Sequence, residues 1–247
     1  MSETAAAARG VLGLVTIGQA PRTDLTPDIL PLTAGLRLAE CGALDHDRFD
    51  GPDADAVRAA VGPVPGEAPL ISRLRDGGSA VLGHDALAPR MADAVARCEA
   101  AGAAATLLLC TGHFPPVPAR RPLLYAEPLV QHAVCALVGA DPVGIVCPLP
   151  AQQEDVEARW ARLLPGPVTA LPADPYGEAA AESCAAAARQ LVAGGARWLV
   201  LDCIGYTEEM RRAAARAAAV PVLLARALAV RLAAEAALSA ARAPLSS

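Results

Sequence analysis

The stretch "LLLCTGHFP" at residues 107–115 places a cysteine where a continuous apolar run gives way to turn-forming residues. A second stretch, "LVLDCIGYTEE" at residues 199–209, has the same arrangement. Short apolar runs bounded by turn residues are typical of buried strands in a parallel sheet. The two stretches therefore predict two buried strands, which end near Cys110 and Cys203.

Along the rest of the chain, short apolar runs alternate with longer segments of helical spacing, the pattern of an α/β protein with a mainly parallel sheet. The predicted strands cover residues 11–17, 79–82, 105–109, 142–146, 168–171, 198–202 and 221–224. The predicted helices cover residues 87–101, 129–138, 151–164, 178–193, 208–218 and 228–241. Residues 36–69 are rich in Gly, Pro and Asp, which predicts loop with short elements.

The strands indicate an internal duplication. "GLVTIGQAPRTD" at residues 13–24 opens the first half, and "VGIVCPLPAQQED" at residues 143–155 is its counterpart. This predicts two similar Rossmann-like α/β half-domains with mainly parallel sheets, related by pseudo-twofold symmetry, with the active cleft between them. The last helix is expected to return to the first half. The predicted first domain is thus residues 10–128 plus 222–242, and the second is residues 129–221.

Composition restricts the function classes. Of the 247 residues, 54% are hydrophobic and 19% charged, and the formal net charge is −5. The arginines are spread along the chain, which argues against nucleic acid or an anionic membrane and favours a small-molecule partner. The sequence has no lysine, so pyridoxal phosphate imines, a Walker A loop and class I aldolase chemistry are excluded. We expect no cofactor.

The cysteine count and the N-terminus predict the cellular location of the protein. Seven cysteines at irregular spacing do not resemble a secreted disulfide framework, and no paired CxxC motif indicates zinc. The N-terminus lacks a basic region followed by a long apolar stretch, and no later segment has eighteen uninterrupted apolar residues. A cytoplasmic protein with reduced thiols is expected, and a homodimer is possible.

Two of the seven cysteines have a context that favours chemistry. A single cysteine is most often a buried core residue, and five are interpreted in that way: Cys41, Cys98, Cys135, Cys147 and Cys184. Cys110 and Cys203 are instead followed by Thr-Gly and Ile-Gly. Backbone amides in such turns can bind an anion and lower a thiol pKa from about 8.5 toward neutrality.

Four stretches, "LVTIGQAPRTD", "LLLCTGHFP", "VGIVCPLPAQ" and "LDCIGYTEEMR", together resemble the AroM family. This family is similar to the aspartate/glutamate racemase superfamily, which has a two-domain fold and one cysteine from each domain. The resemblance covers roughly residues 10–240. It implies cofactor-independent 1,1-proton transfer, in which one cysteine thiolate removes the α-proton of a carboxylate substrate and the opposite thiol delivers one.

Carried over by motif, Cys110 matches the first-domain cysteine and Cys203 the second. Thr111 falls where a Cys-Asn-Thr sequence in the racemases holds the substrate carboxylate. This chain has no Asn after Cys110, and Cys203 is followed by Ile-Gly where the racemases have Thr-His or Thr-Glu. Because those residues hold the amino group and the carboxylate, the resemblance leaves the substrate open.

Stabilisation of an enolate requires fixed hydrogen-bond donors and exclusion of water. The turns at Gln19, Gly112 and Gly205 can supply such donors. The guanidinium of Arg22 can bind a carboxylate through two parallel hydrogen bonds. The alternative interpretation of this segment is a solvated turn capped by Asp24.

Several neighbours of the two cysteines are further candidates. His113 can orient or polarise Cys110, with a zinc site as a less favoured alternative. Tyr206 is expected to line the cleft, and Thr207 is expected to be both a site residue and the N-cap of the next helix. Asp202 precedes Cys203 on the strand and is expected to point to the opposite face.

The leading hypothesis is a racemase or epimerase of a small carboxylate or amino-acid-like substrate, with Cys110 and Cys203 as the acid/base pair. Two alternatives remain open at this stage. One is a related cysteine-dependent isomerase or decarboxylase. The other is a non-catalytic protein that binds a small molecule on the same fold.

Overall fold

A computed structural model describes residues 10–33 and 35–242, which form two parallel four-stranded sheets and one hairpin. The strands are β1 (Val11–Thr16), β2 (Arg37–Gly42), β3 (Leu70–Arg73), β4 (Ser79–Leu82), β5 (Ala105–Leu109), β6 (Leu123–Tyr125), β7 (Val143–Cys147), β8 (Val168–Pro172), β9 (Trp198–Leu201) and β10 (Val222–Leu224). The helices are α1 (Thr26–Ile29), α2 (Ala54–Val61), α3 (His84–Ala100), α4 (Ala126–Val138), α5 (Gln153–Ala161), α6 (Ala180–Ala193), α7 (Glu208–Ala218) and α8 (Ala225–Arg242). Short 3₁₀ turns cover Leu30–Leu32 and Pro150–Gln152.

The two large sheets have the same topology. The first has the order β2-β1-β5-β6, and the second has the order β8-β7-β9-β10. Gly13 lies opposite Thr106 in the first sheet, as Gly144 lies opposite Leu199 in the second. Counted from those partners, Cys110 and Cys203 are each four residues further along the chain. The predicted fold class, two similar α/β halves with parallel sheets, is confirmed.

The matched glycines are needed because a helix packs closely on each sheet. A Cβ at Gly13 would lie 3.0 Å from Cys98 Cβ on α3, and one at Gly144 would lie 2.9 Å from Leu191 Cβ on α6. We expect Gly13→Ala to lower the free energy of unfolding by about 1–3 kcal/mol, the usual cost of overpacking. Urea unfolding measures this, with Gly177→Ala as the control because its Cβ would meet nothing closer than 3.9 Å. Equal stability of the two variants would contradict the expectation.

The central strands of both sheets and the edge strands β8 and β10 were predicted from their apolar runs, whereas the edge strands β2 and β6 of the first sheet were not. Every residue of β5 and of β7 is buried, as expected for strands covered on both faces. The edge strand β2 has the sequence RLAECG and lies in a region predicted to be loop with short elements. It is one such short element, but its position and its parallel pairing with β1 were not predicted. An edge strand needs only one apolar face, and the charged residues of β2 interrupt the apolar run by which a buried strand is predicted.

The predicted return to the first half at residue 222 comes too early. β10 pairs with β9 in the second sheet, and it is α8 that contacts β1 and β5. Residues 129–138, predicted for the second half, belong to α4, which packs against β5, β6 and α8. Helix α8 returns to the first half because its apolar face is buried there. Ala229 and Ala233 are fully buried in the same core cluster as Leu12 and Leu107.

Within the described residues, no helix combines the length and the apolarity that a membrane crossing requires. Most of the N-terminal stretch on which the predicted location depends lies outside those residues.

Candidate active site

Cys110 and Cys203 lie just beyond the carboxyl ends of β5 and β9, and both line one cavity of about 310 Å³. Both halves of the molecule contribute to its wall, together with residues 68–72 at the start of the hairpin β3–β4. The structure thus brings together the two cysteines that the sequence singled out. A cavity of this size is at the lower end of the range for small-ligand sites.

Each cysteine sulfur accepts a hydrogen bond from the backbone amide two residues further on. The amide of Gly112 lies 3.3 Å from Cys110 Sγ, and the amide of Gly205 lies 3.3 Å from Cys203 Sγ. A Cβ at Gly112 would come within 2.6 Å of Leu70, which explains the glycine. The two halves therefore present their thiols in the same local geometry.

Burial is the largest influence on the pKa of both thiols. It raises the pKa of Cys110 to about 12 and that of Cys203 to about 11, while the amide hydrogen bond lowers each pKa in part. The expectation that the turn amides would bring the pKa toward neutrality was wrong, because desolvation of the thiolate outweighs one amide. Both thiols are therefore protonated at neutral pH.

Arg22 lines the cavity, but its donors are occupied by the protein. Its Nε and Nη2 each donate to the Asp24 carboxylate at 2.8 Å, and Nη1 donates to Thr16 Oγ1 at 3.0 Å. Nη1 also lies 3.3 Å from Ser72 Oγ. The predicted carboxylate fork thus binds Asp24.

Gln19 has a structural role outside the cavity wall. Its Nε2 donates to the carbonyls of Leu44 at 3.2 Å and Asp47 at 2.9 Å, and its Oε1 accepts from the Arg75 amide at 3.0 Å. These bonds join the turn after β1 to the segments that follow β2 and β3. The side chain is 7% exposed and is not part of the cavity wall.

Tyr206 and Thr207 also lie outside the cavity wall. Tyr206 was expected to line the cleft, but it is fully buried in the core of the second half, where its hydroxyl donates to the Ala173 carbonyl at 2.7 Å. Thr207 is the N-cap of α7, as its position before Glu208 predicted, and its Oγ1 accepts from the Met210 amide at 3.2 Å.

Thr111 and His113 do line the cavity. Thr111 Oγ1 donates to the carbonyl of Asp202 at 3.2 Å, so its hydroxyl ties the two halves together beside the thiols. His113 is largely exposed, and its Nδ1 lies 3.0 Å from Glu127 Oε2. In the described part of the chain, no group of three potential metal ligands lies close enough together to hold an ion.

A family model described as AroM protein matches residues 12–237 of the sequence. The chain belongs to the AroM family. A comparison with curated proteins returned no match.

Several solved structures are similar to this AroM chain. Arylmalonate decarboxylase is 17% identical with a TM-score of 0.57, over 92% of this chain and 92% of that one. The allantoin racemase of Klebsiella pneumoniae is 16% identical with a TM-score of 0.55, over 92% and 86%. The aspartate racemase of Picrophilus torridus is 12% identical with a TM-score of 0.55, over 92% and 94%. At these identities the likeness shows that the chain shares the fold of these three enzymes.

Sequence reasoning missed Arg159, which lines the cavity of this AroM protein from α5. Its Nη2 donates to Asp202 Oδ2 at 2.8 Å, and that carboxylate oxygen also accepts from Trp160 Nε1 at 2.7 Å. Among the described residues, the buried Nε of Arg159 has no hydrogen-bond partner. The available signal was the spacing of Asp155, Arg159 and Arg162, which all line the cavity.

Tyr176 was also missed. It lies in the loop after β8, lines the cavity, and its hydroxyl lies 3.5 Å from Arg22 Nη2. A Cβ at Gly205 would come within 2.7 Å of the same hydroxyl, so the glycine makes room for it beside Cys203. Burial raises the pKa of Tyr176, which keeps the phenol a hydrogen-bond donor.

Proposed function

We propose that this AroM-family protein catalyses proton transfer at the carbon next to a carboxylate, as a cofactor-independent racemase or epimerase of a small carboxylate or amino-acid-like substrate. Cys110 and Cys203 are the acid/base pair. The observation that carries the proposal is the placement of both thiols, each at the end of an equivalent strand, on the wall of one cavity.

The chemistry needs only groups that the chain supplies. One cysteine first loses its proton to water, and its thiolate then removes the α-proton while the electron pair of the C–H bond moves into the carboxylate to give an enediolate. The thiol of the other cysteine then protonates the opposite face and becomes the thiolate. Donors such as the Tyr176 hydroxyl stabilise the enediolate, and the partly enclosed cavity limits access of water.

Arg159 is our candidate for binding the substrate carboxylate. Asp202 holds one side of its guanidinium, while Nη1 has only a 4.0 Å contact with Glu127 Oε1. Arg22, the cation predicted for this role, is already paired with Asp24. A guanidinium with free donors on a cavity wall matches the two oxygens of a carboxylate.

The experiment is exchange of the α-hydrogen in D₂O. We expect deuterium at the α-carbon and loss of optical activity for a substrate found among single enantiomers of amino acids and 2-substituted carboxylic acids. Proton NMR and chiral chromatography measure the two changes. A compound that binds at the cavity and shows neither exchange nor any other turnover would instead indicate a non-catalytic binding protein.

A second candidate function is decarboxylation of a substrate with two carboxylates on one carbon. The raised pKa of both thiols favours it, because loss of CO₂ creates the enediolate without a base and a protonated thiol then supplies the proton. The thiolate left behind regains a proton from water. Release of CO₂ without exchange of the product's α-hydrogen would distinguish this reaction from racemisation.

A further inference from the structure

Residues of opposite charge occupy equivalent positions next to the loops that follow the two cysteines. In each half, the fourth strand of the sheet leads directly into a helix: β6 into α4, and β10 into α8. The second residue of α4 is Glu127, and the second residue of α8 is Arg226. The duplication that places the two thiols alike therefore places a carboxylate next to the loop after Cys110 and a guanidinium next to the loop after Cys203.

Arg226 is fully buried and holds the loop after Cys203. Its Nε donates to the Ile204 carbonyl at 2.9 Å, and its Nη2 lies 3.2 Å from the Gly205 carbonyl. Its Nη1 donates to Asp28 Oδ2 at 2.7 Å. Since Gly205 also provides the amide that contacts Cys203, this cation fixes the turn that binds the sulfur.

Glu127 is tied to the loop after Cys110 in a similar way. Its Oε2 lies 3.0 Å from His113 Nδ1, and its Oε1 accepts from Gln131 Nε2 at 3.3 Å. Its side chain is only 12% exposed, so water screens the charge weakly. Arg159 Nη1 lies 4.0 Å away and neutralises it in part.

We propose that this reversal of charge polarises the thiol pair, so that Cys203 supplies the thiolate base and Cys110 supplies the proton. The catalytic roles depend on the proposed function, whereas the order of acidity does not. In one turnover, Cys203 first loses its proton to water and then takes the α-proton, the electron pair enters the enediolate, and Cys110 delivers its proton to the opposite face. Cys110 is left as the thiolate, and proton exchange with water restores the starting state.

The other charged groups around the thiols act in both directions. Asp202 raises the pKa of Cys203, whereas Arg22 and Arg226 lower it. For Cys110, Arg159 lowers the pKa, whereas Glu127 and an ionised Cys203 raise it. The remaining titratable neighbours of Cys203 have pKa values raised by burial and are neutral below pH 9: Cys147, Cys184, Tyr176 and Tyr206.

The test is alkylation by iodoacetamide between pH 7 and 9, followed at each cysteine by peptide mass spectrometry. In Glu127→Gln we expect Cys110 to react about 3- to 10-fold faster than in the unmodified protein, with the rate of Cys203 unchanged, because a buried negative charge near Cys110 is removed. Arg226→Gln should slow Cys203 by a similar factor, and Arg226→Lys should not.

Two control variants distinguish the effect of the lost charge on Cys110 from the effect of loosening the loop that follows it. His113→Ala breaks the same contact but keeps the carboxylate, so Cys110 should not accelerate. Glu154→Gln makes the same change in net charge at an exposed position of α5. If Arg226→Gln does not fold, the Glu127→Gln result decides alone. An unchanged ratio of the two rates in Glu127→Gln, or equal acceleration in His113→Ala, would overturn the proposal. Because no substrate is used, this outcome is independent of the exchange experiment.

Discussion

Cys110→Ala and Cys203→Ala are each expected to reduce racemisation of the true substrate by about 100- to 10,000-fold, the usual contribution of a positioned acid or base. Each variant lacks one of the two groups that must act on opposite faces of the carbon. The loss should appear in kcat more than in KM, since the missing thiol acts in the transition state. Chiral chromatography measures racemisation, and proton NMR in D₂O measures exchange.

Cys135→Ala is the matched control. Its thiol lies on α4 outside the cavity wall, so activity should be unchanged. Circular dichroism establishes that all three variants fold. Full activity in both active-site variants would exclude the two-thiol mechanism. Loss in only one of them would favour the decarboxylation candidate, in which a single thiol protonates the enediolate.

The fold and the cysteine pair could be predicted because both depend on local patterns. A buried parallel strand appears in the sequence as a continuous apolar run, and β5 and β9 each end near a cysteine that has a glycine two residues further on. The shared pattern of the two halves then predicted that Cys110 and Cys203 would be equivalent.

The polar residues of the site could not be predicted in the same way, because their roles depend on partners that are distant in the chain. Arg22 looked like a ligand-binding cation, yet Asp24 and Thr16 already accept its hydrogen bonds. Tyr206 follows Cys203 closely, but the tyrosine on the cavity wall is Tyr176. The acidity of the thiols also depends on total burial, which a short motif does not encode.

Arg159→Gln is expected to weaken binding of the substrate carboxylate by about 10- to 100-fold, the cost of losing a charge-assisted hydrogen bond. The effect should appear as a higher KM, measured on the substrate found by the exchange experiment. Arg159→Lys should recover only part of the loss, because an ammonium cannot bind two carboxylate oxygens as a planar fork does. Arg189→Gln, at an exposed position of α6, removes the same charge and should leave KM unchanged.

Arg159 also neutralises the buried carboxylate of Asp202, so its loss should reduce stability as well as binding. Asp202→Asn separates the two effects, since the asparagine oxygen can still accept from Trp160 Nε1 while the unpaired charge is removed. In the double variant Arg159→Gln/Asp202→Asn we expect the free energy of unfolding to recover relative to Arg159→Gln, while KM stays high. Recovery of both quantities would show that Arg159 acts only on the structure and that the substrate carboxylate is bound elsewhere in the cavity.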